Sequence, residues 1–240
     1  MKKTLFLFAM VLFVGDVAAQ MYSYSFVGIR IGQTRAQGDY AETVFDEDTK
    51  NAGFAEDGFA FNIEGGRFIN QNFGVGGSLS FSFNGLDDGA LVEEALRARP
   101  ELTSLAIDAG TYTNISFLVG PYGRIPITSS ISLLGMAKIG VMTSTRPSSD
   151  ISWQEEGETS RRAEFDEIWG TAFAFSIGAA IKTRIKGGPI EIGPQVEYVS
   201  AKPTYGFYSY DPFFGWVYVE GESQQVDLLN FGFGITYSMR

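Results

Sequence analysis

The stretch that decides the fold is Phe73–Asn84, FGVGGSLSFSFN. Its odd positions are Phe73, Val75, Gly77, Leu79, Phe81 and Phe83; its even positions are Gly74, Gly76, Ser78, Ser80, Ser82 and Asn84. One face is apolar and the other small and polar, with a period of two, which describes a β-strand and no helix. The same alternation recurs downstream. Ile115, Phe117 and Val119 alternate with Asn114, Ser116 and Gly120, and Phe173, Phe175, Ile177, Ala179 and Ile181 alternate with Ala172, Ala174, Ser176, Gly178 and Ala180. Ile190, Ile192, Val196 and Tyr198 face away from Glu191, Gly193, Gln195 and Glu197, and Leu229, Phe231, Phe233, Ile235 and Tyr237 oppose Asn230, Gly232, Gly234, Thr236 and Ser238. Fainter strands fall near 22–33, 58–68 and 131–143, giving eight in all. Within the second of these, Gly65-Gly66 is a candidate bulge that would flip the faces and redirect Arg67.

The connections alternate as well. Short ones lie near Ile69–Asn72, Pro126–Ser130 and Thr183–Gly188, and long ones run through 34–57, 85–110, 144–167 and 201–223. Eight antiparallel strands with short turns at one rim and long loops at the other predict a closed, all-β transmembrane barrel with four long outer loops and three short periplasmic turns.

Charge placement separates a membrane barrel from a soluble ligand-carrying one. Of the 28 acidic residues, 23 lie in the four long loops; with Arg35, Lys50, Arg97, Arg99, Arg146, Arg161, Arg162 and Lys202 these loops sum to −15, against −10 for the whole chain. The strongly apolar strand face carries no charge. A soluble barrel needs ions on its outer face, whereas a bilayer penalises an ion at the midplane by about 2–4 kcal/mol. Closure also satisfies every backbone group where no water is available. The 29 glycines among 240 residues then line a narrow interior together with Ser and Ala.

The first residues read as an address. Lys2 and Lys3 precede an apolar run from Leu5 to Val14 and the small residues of Gly15-Asp16-Val17-Ala18-Ala19. This is the pattern of a cleaved export signal over 1–19, with the barrel domain over 20–240. The run is too short to cross a bilayer, which takes about 20 apolar residues. Export plus a barrel pattern places the protein in the outer membrane of a Gram-negative cell envelope.

Phe26-Val27-Gly28-Ile29-Arg30-Ile31-Gly32, the hairpin Glu64-Gly65-Gly66-Arg67-Phe68-Ile69-Asn70-Gln71-Asn72-Phe73-Gly74, and Gly120-Pro121-Tyr122-Gly123-Arg124 resemble the outer-membrane β-barrel domain proteins. That family is related in architecture to the transmembrane domain of outer membrane protein A. The resemblance implies a C-terminal strand read by the outer-membrane insertion machinery. Phe231, Phe233, Ile235 and Tyr237 fit such a signal, while Met239-Arg240 depart from the aromatic ending.

The ions expected on the inner face are Arg30, Glu64, Arg124, Lys138, Glu191 and Glu197. An eight-stranded barrel is just wide enough to be filled by side chains, so buried charges must pair. Such pairing would form a structural plug, an arrangement the resemblance also implies; the functional alternative is the gate of a narrow, porin-like pore. The basic turn Lys182-Thr183-Arg184-Ile185-Lys186 suits a different compartment or a headgroup contact.

Other constellations are weaker. Asp46-Glu47-Asp48 and Glu155-Glu156 have no EF-hand spacing and read as solvated loop, so no metal or cofactor is expected. In the second long loop, Asp87 or Asp88 caps a short helix, Glu93 pairs with Arg97 and Pro100 ends it. The fourth loop concentrates aromatics, and Tyr208, Phe213 and Trp216 are its candidates for surface recognition. The chain has no His and no Cys, which removes the usual general base, the usual metal ligands and a thiol nucleophile. The resulting expectation is a non-catalytic protein in contact with outer-membrane lipid, the insertion machinery and an extracellular or envelope partner. Its alternative role is a narrow pore or an accessory barrel of an export machine. The acidic balance argues against a nucleic-acid partner.

Overall fold

A computed structural model describes residues 23–44, 52–155, 159–211 and 215–239. The proposed export signal and Asp46-Glu47-Asp48 lie outside these residues, as does Phe213.

Thirteen strands follow in chain order: β1 (Tyr24–Gln37), β2 (Ala55–Phe68), β3 (Phe73–Leu86), β4 (Leu102–Ala109), β5 (Tyr112–Pro126), β6 (Ile131–Arg146), β7 (Ser149–Glu155), β8 (Arg161–Phe165), β9 (Ile168–Arg184), β10 (Ile190–Ala201), β11 (Thr204–Asp211), β12 (Gly215–Ser223) and β13 (Val226–Met239). Eight of them, β1, β2, β3, β5, β6, β9, β10 and β13, form a closed antiparallel barrel. The first and last strands seal it in an unbroken register from Ser25↔Met239 to Gln37↔Asp227. Closure leaves no open edge in the barrel wall, the condition for a sheet to sit in hydrocarbon.

The tightest point of this seam is Gly32 opposite Gly232. A Cβ on Gly32 would fall 2.1 Å from the Phe231 carbonyl oxygen, and one on Gly232 would fall 2.2 Å from that of Ile31. The two backbones approach more closely than a side chain allows, which explains glycine at both positions.

Chemistry of the turns fixes the register. In the β2–β3 turn Asn70 Oδ1 accepts from the backbone N–H groups of Asn72 (2.9 Å) and Phe73 (2.7 Å). In the β5–β6 turn Thr128 Oγ1 does the same for Ser130 and Ile131. The β9–β10 turn passes through left-handed Lys186 (φ 48) and Gly187 (φ 69). No bulge interrupts β2 at Gly65-Gly66: the pairing to β1 and β3 runs straight through, and the register shift falls instead between Ala55 and Gly58. Arg67 consequently points out of the barrel at the turn end, where its guanidinium donates to Ser23 Oγ.

Alternation in β3 is realised residue by residue. Gly74, Gly76, Ser78, Ser80, Ser82 and Asn84 are buried, while Phe73, Val75, Leu79 and Phe83 are exposed. The outward face is an apolar belt, with Phe117 and Ile139 at 56% exposure, Ile177 at 61% and Phe173 at 65%. A water-soluble domain does not expose a continuous belt of this kind. The barrel strands of 12–17 residues exceed the roughly 9–11 needed to cross a bilayer, so they also extend beyond it. The belt and the closed wall are those of a membrane-spanning β-barrel.

Beyond the membrane the long loops are built rather than loose. The second and third contribute β4, β7 and β8 to a separate three-stranded sheet, and β11–β12 form a hairpin that continues the barrel wall from the outer end of β9. The second loop also carries helix α1 (Asp88–Ala98), which packs against β4. Asp87 Oδ1 accepts from Ala90 N–H at 2.8 Å and caps it. Arg97 pairs with Glu94 at 2.6 Å, not with Glu93; the i,i+3 partner is the one turned toward the interior.

Candidate functional site

Period two sends every second side chain into the lumen, and the inward set has an order along each strand. Reading β6 from its turn end gives Ser132, Leu134, Met136, Lys138, Gly140, Met142 and Ser144; β1 gives Phe26, Gly28, Arg30, Gly32, Thr34 and Ala36. Large apolar groups lie near the periplasmic end, ions in the middle, and small and apolar groups toward the outer end.

All six sequence-predicted ions lie on the lumen face and are paired there, in three groups. Glu197 is the hub of the central group: Arg30 Nη2 approaches its Oε2 at 3.0 Å, and Lys138 Nζ its Oε1 at 2.6 Å. Lys138 also donates to Ser78 Oγ at 2.7 Å. The Lys138 and Glu197 side chains are completely shielded from solvent. Glu64 pairs across the lumen with Lys182 at 3.3 Å, and Lys182 donates to Thr236 Oγ1 at 3.0 Å. Nearer the periplasm, Glu191 Oε1 takes Arg124 Nη2 at 2.5 Å and Arg184 Nη2 at 2.9 Å.

Lys182 and Arg184 are the lumen ions that the sequence reading left in the basic turn. Both lie in β9 on the even-numbered face with Ala172, Ala174 and Ser176, so strand parity was the signal that could have found them. Their inclusion sets five cations against three carboxylates inside the barrel.

Two side-chain layers flank the central ions Arg30, Glu64, Lys138, Lys182 and Glu197. On the periplasmic side Tyr24 stacks on Phe68 (4.9 Å between centroids), and Phe26 meets both Phe68 (5.6 Å) and Tyr122 (5.4 Å). At the outer mouth Tyr40 and Tyr112 meet edge to face at 5.1 Å. Asn114 donates to the Tyr40 hydroxyl, Tyr112 donates to the Gly53 carbonyl and Tyr205 donates to Ser144 Oγ. Arg146 lies 5.9 Å from the centre of the Tyr205 ring. This cap draws on the first loop, β5 and the hairpin, and no local sequence pattern announces it.

The crown outside is acidic and has its own ion pairs. Arg35 meets Asp57 at 3.1 Å, and Arg162 bridges Asp150 and Glu164. Burial holds the Asp88 carboxyl above the usual carboxylate range, opposed by the Ala109 N–H and reinforced by Asp108 and Asp87. Among the described residues no three acidic side chains converge as a metal ion would require. Backbone pairing places Tyr208 opposite Tyr218, and Trp216 opposite Tyr210, in the β11–β12 hairpin. In the last strand Phe233, Ile235 and Tyr237 face lipid, with Phe231 partly covered on the same face.

No protein-family model matches the chain, and no curated protein does. Among solved structures it is similar to Neisserial surface protein A, at 9% identity and a TM-score of 0.46, over 89% of this chain and 96% of that one. It is similar to Ail, the attachment invasion locus protein of Yersinia pestis, at 18% identity and a TM-score of 0.43, over 90% of this chain and all of the other. The N-terminal β-barrel domain of Pseudomonas aeruginosa OprF aligns at 11% identity and a TM-score of 0.36, over 89% of this chain and 97% of that domain.

Proposed function

We propose that this barrel is a closed, non-catalytic membrane anchor that presents an acidic, folded crown at the cell surface to an extracellular or envelope partner. The observation that carries this reading is the occupied lumen. Charged side chains bonded to one another fill its centre, one aromatic layer lies on the periplasmic side, and a second mouth is capped by Tyr40, Tyr112 and Tyr205. Buried ions of opposite sign held at hydrogen-bond distance are expensive to separate, so the plug is part of the fold. Arg30, Glu64, Arg124, Lys138, Glu191 and Glu197, with Lys182 and Arg184, have that structural role. Loops positioned by a rigid scaffold are where binding surfaces belong, and here they carry most of the acidic residues and, in the aromatic-rich fourth loop, Tyr208, Phe213 and Trp216.

Planar-bilayer recording of the purified full chain tests the closed lumen. The expected result is no unitary conductance above baseline; reproducible single channels would replace this reading with the narrow pore. Whole-cell binding after Tyr208, Phe213 and Trp216 are changed to Ser tests the surface role, with binding lost while the barrel still folds.

Export through a signal cleaved after Ala19, and insertion guided by Phe231, Phe233, Ile235 and Tyr237, complete the proposal. N-terminal sequencing of the membrane-extracted protein checks the first. Slower assembly of a Phe233→Ser, Tyr237→Ser variant checks the second.

A further inference from the structure

The periplasmic mouth opens on a cavity of about 950 Å³, walled by Tyr24, Arg124, Ser130, Ser132, Arg184 and Ser238 among others. Its chemistry is one-sided. Arg124 Nη2, Arg184 Nε and Arg184 Nη2 all converge on one carboxylate oxygen, Glu191 Oε1. Two guanidiniums therefore share a single counter-charge, and one positive charge is left on the wall. No acidic residue is among the described residues lining the cavity. Arg184 keeps 27% of its side chain exposed there, and Arg124 keeps 12%.

A second observation is independent of the arginines. Ser132, 4% exposed, is among the residues lining the cavity, and its buried hydroxyl has no hydrogen-bond partner among the described residues. A buried hydroxyl is normally satisfied, so its partner is expected from outside the chain. The stacked layer of Tyr24, Phe26, Phe68 and Tyr122 follows next along the lumen and makes the chamber a cup rather than a passage.

We propose that this cup binds a small soluble oxyanion, a molecule bearing a phosphate or carboxylate group, between Arg184, Arg124 and the Ser132 hydroxyl. Guanidinium and hydroxyl donors on one wall, with an uncompensated positive charge, match the fork geometry and charge of such a group. A lipid headgroup phosphate shares this chemistry, and the test distinguishes the two sources.

The experiment is a calorimetric titration of the folded full chain, in neutral detergent at low salt, with inorganic pyrophosphate and separately with citrate. Saturable binding of one anion per barrel is expected. Arg184→Gln should weaken it by about tenfold or more, the loss of a charge-assisted bond. Ser132→Ala, which removes an unpartnered hydroxyl and leaves the barrel walls intact, should weaken it by about threefold. Arg35→Gln in the outer crown should leave it unchanged. Phosphatidylglycerol added to the micelles should not displace the anion; displacement would reassign the cup to lipid headgroups and overturn the soluble-ligand proposal. No saturation below about 10 mM, or equal affinity in Arg184→Gln and the unaltered protein, would overturn the site itself.

Discussion

Lys138 Nζ stands 2.6 Å from Glu197 Oε1, with neither side chain reached by solvent, and Arg30 occupies the other oxygen of the same carboxylate at 3.0 Å. One carboxylate is thus the shared counter-charge of two buried cations contributed by β1 and β6. Removing its charge strands both. Glu197→Gln is expected to destabilise the barrel by about 3–5 kcal/mol, the cost of breaking a buried pair from one side. Lys138→Met on top of it removes one of the orphaned cations and should recover part of the loss. Urea unfolding in lipid vesicles, followed by the gel-mobility shift of the folded barrel, measures both variants; a single mutant as stable as the parent would show that the lumen holds enough water to solvate the cations.

The seam between β1 and β13 predicts an intolerance that hydrophobicity scales do not. Gly32→Val places its Cβ against the backbone of Phe231, an atom that cannot swing aside. Closure of the first strand on the last should fail, leaving the chain in the slow-migrating unfolded form and open to protease. Gly123→Ala is the matched control, because nothing lies within 4 Å of the added carbon. It should fold normally.

What the sequence disclosed followed the range over which each interaction acts. Strand faces were legible because parity is local: Phe73–Asn84 alone separates lipid-facing Phe83 from lumen-facing Asn84. The ion network was legible for the same reason, and Lys182 was missed only because a basic run beside a turn outweighed its parity with Ser176. Gly65-Gly66 looked like a bulge because two glycines permit one, but pairing with β1 and β3 on both sides holds the strand straight. Nothing local predicts that Tyr112 would meet Gly53 and Tyr40, or that β4 would pair with β7 from another loop. Those contacts depend on which loops the closed barrel brings together.

Loop order can be separated from barrel stability at Asp87. Its carboxylate satisfies the Ala90 N–H at the start of α1, and the helix packs chiefly against β4 in the crown. Asp87→Ala should cost the helix about 1 kcal/mol. Hydrogen exchange should then quicken within 88–98, while amides of β3 and β5 keep their protection. Uniformly faster exchange would show that the crown and the barrel unfold as one unit.

The depth of the barrel in the bilayer can be read with a single charge moved along its outside. Ile139 is 56% exposed near the centre of β6, whereas Ile127 is 61% exposed in the β5–β6 turn at the periplasmic rim. Both are bare isoleucines, so burial within the protein does not distinguish them. In hydrocarbon an arginine at the midplane costs about 2–4 kcal/mol, falling to about 0–1 near the interface. Ile139→Arg is therefore expected to lose that larger amount in vesicle unfolding, and Ile127→Arg to be nearly silent. In neutral detergent, where the amphiphile layer deforms around the charge and water reaches it, the gap between the two should shrink. Equal effects at both positions would contradict a bilayer centred on Ile139 and shift the membrane along the barrel axis.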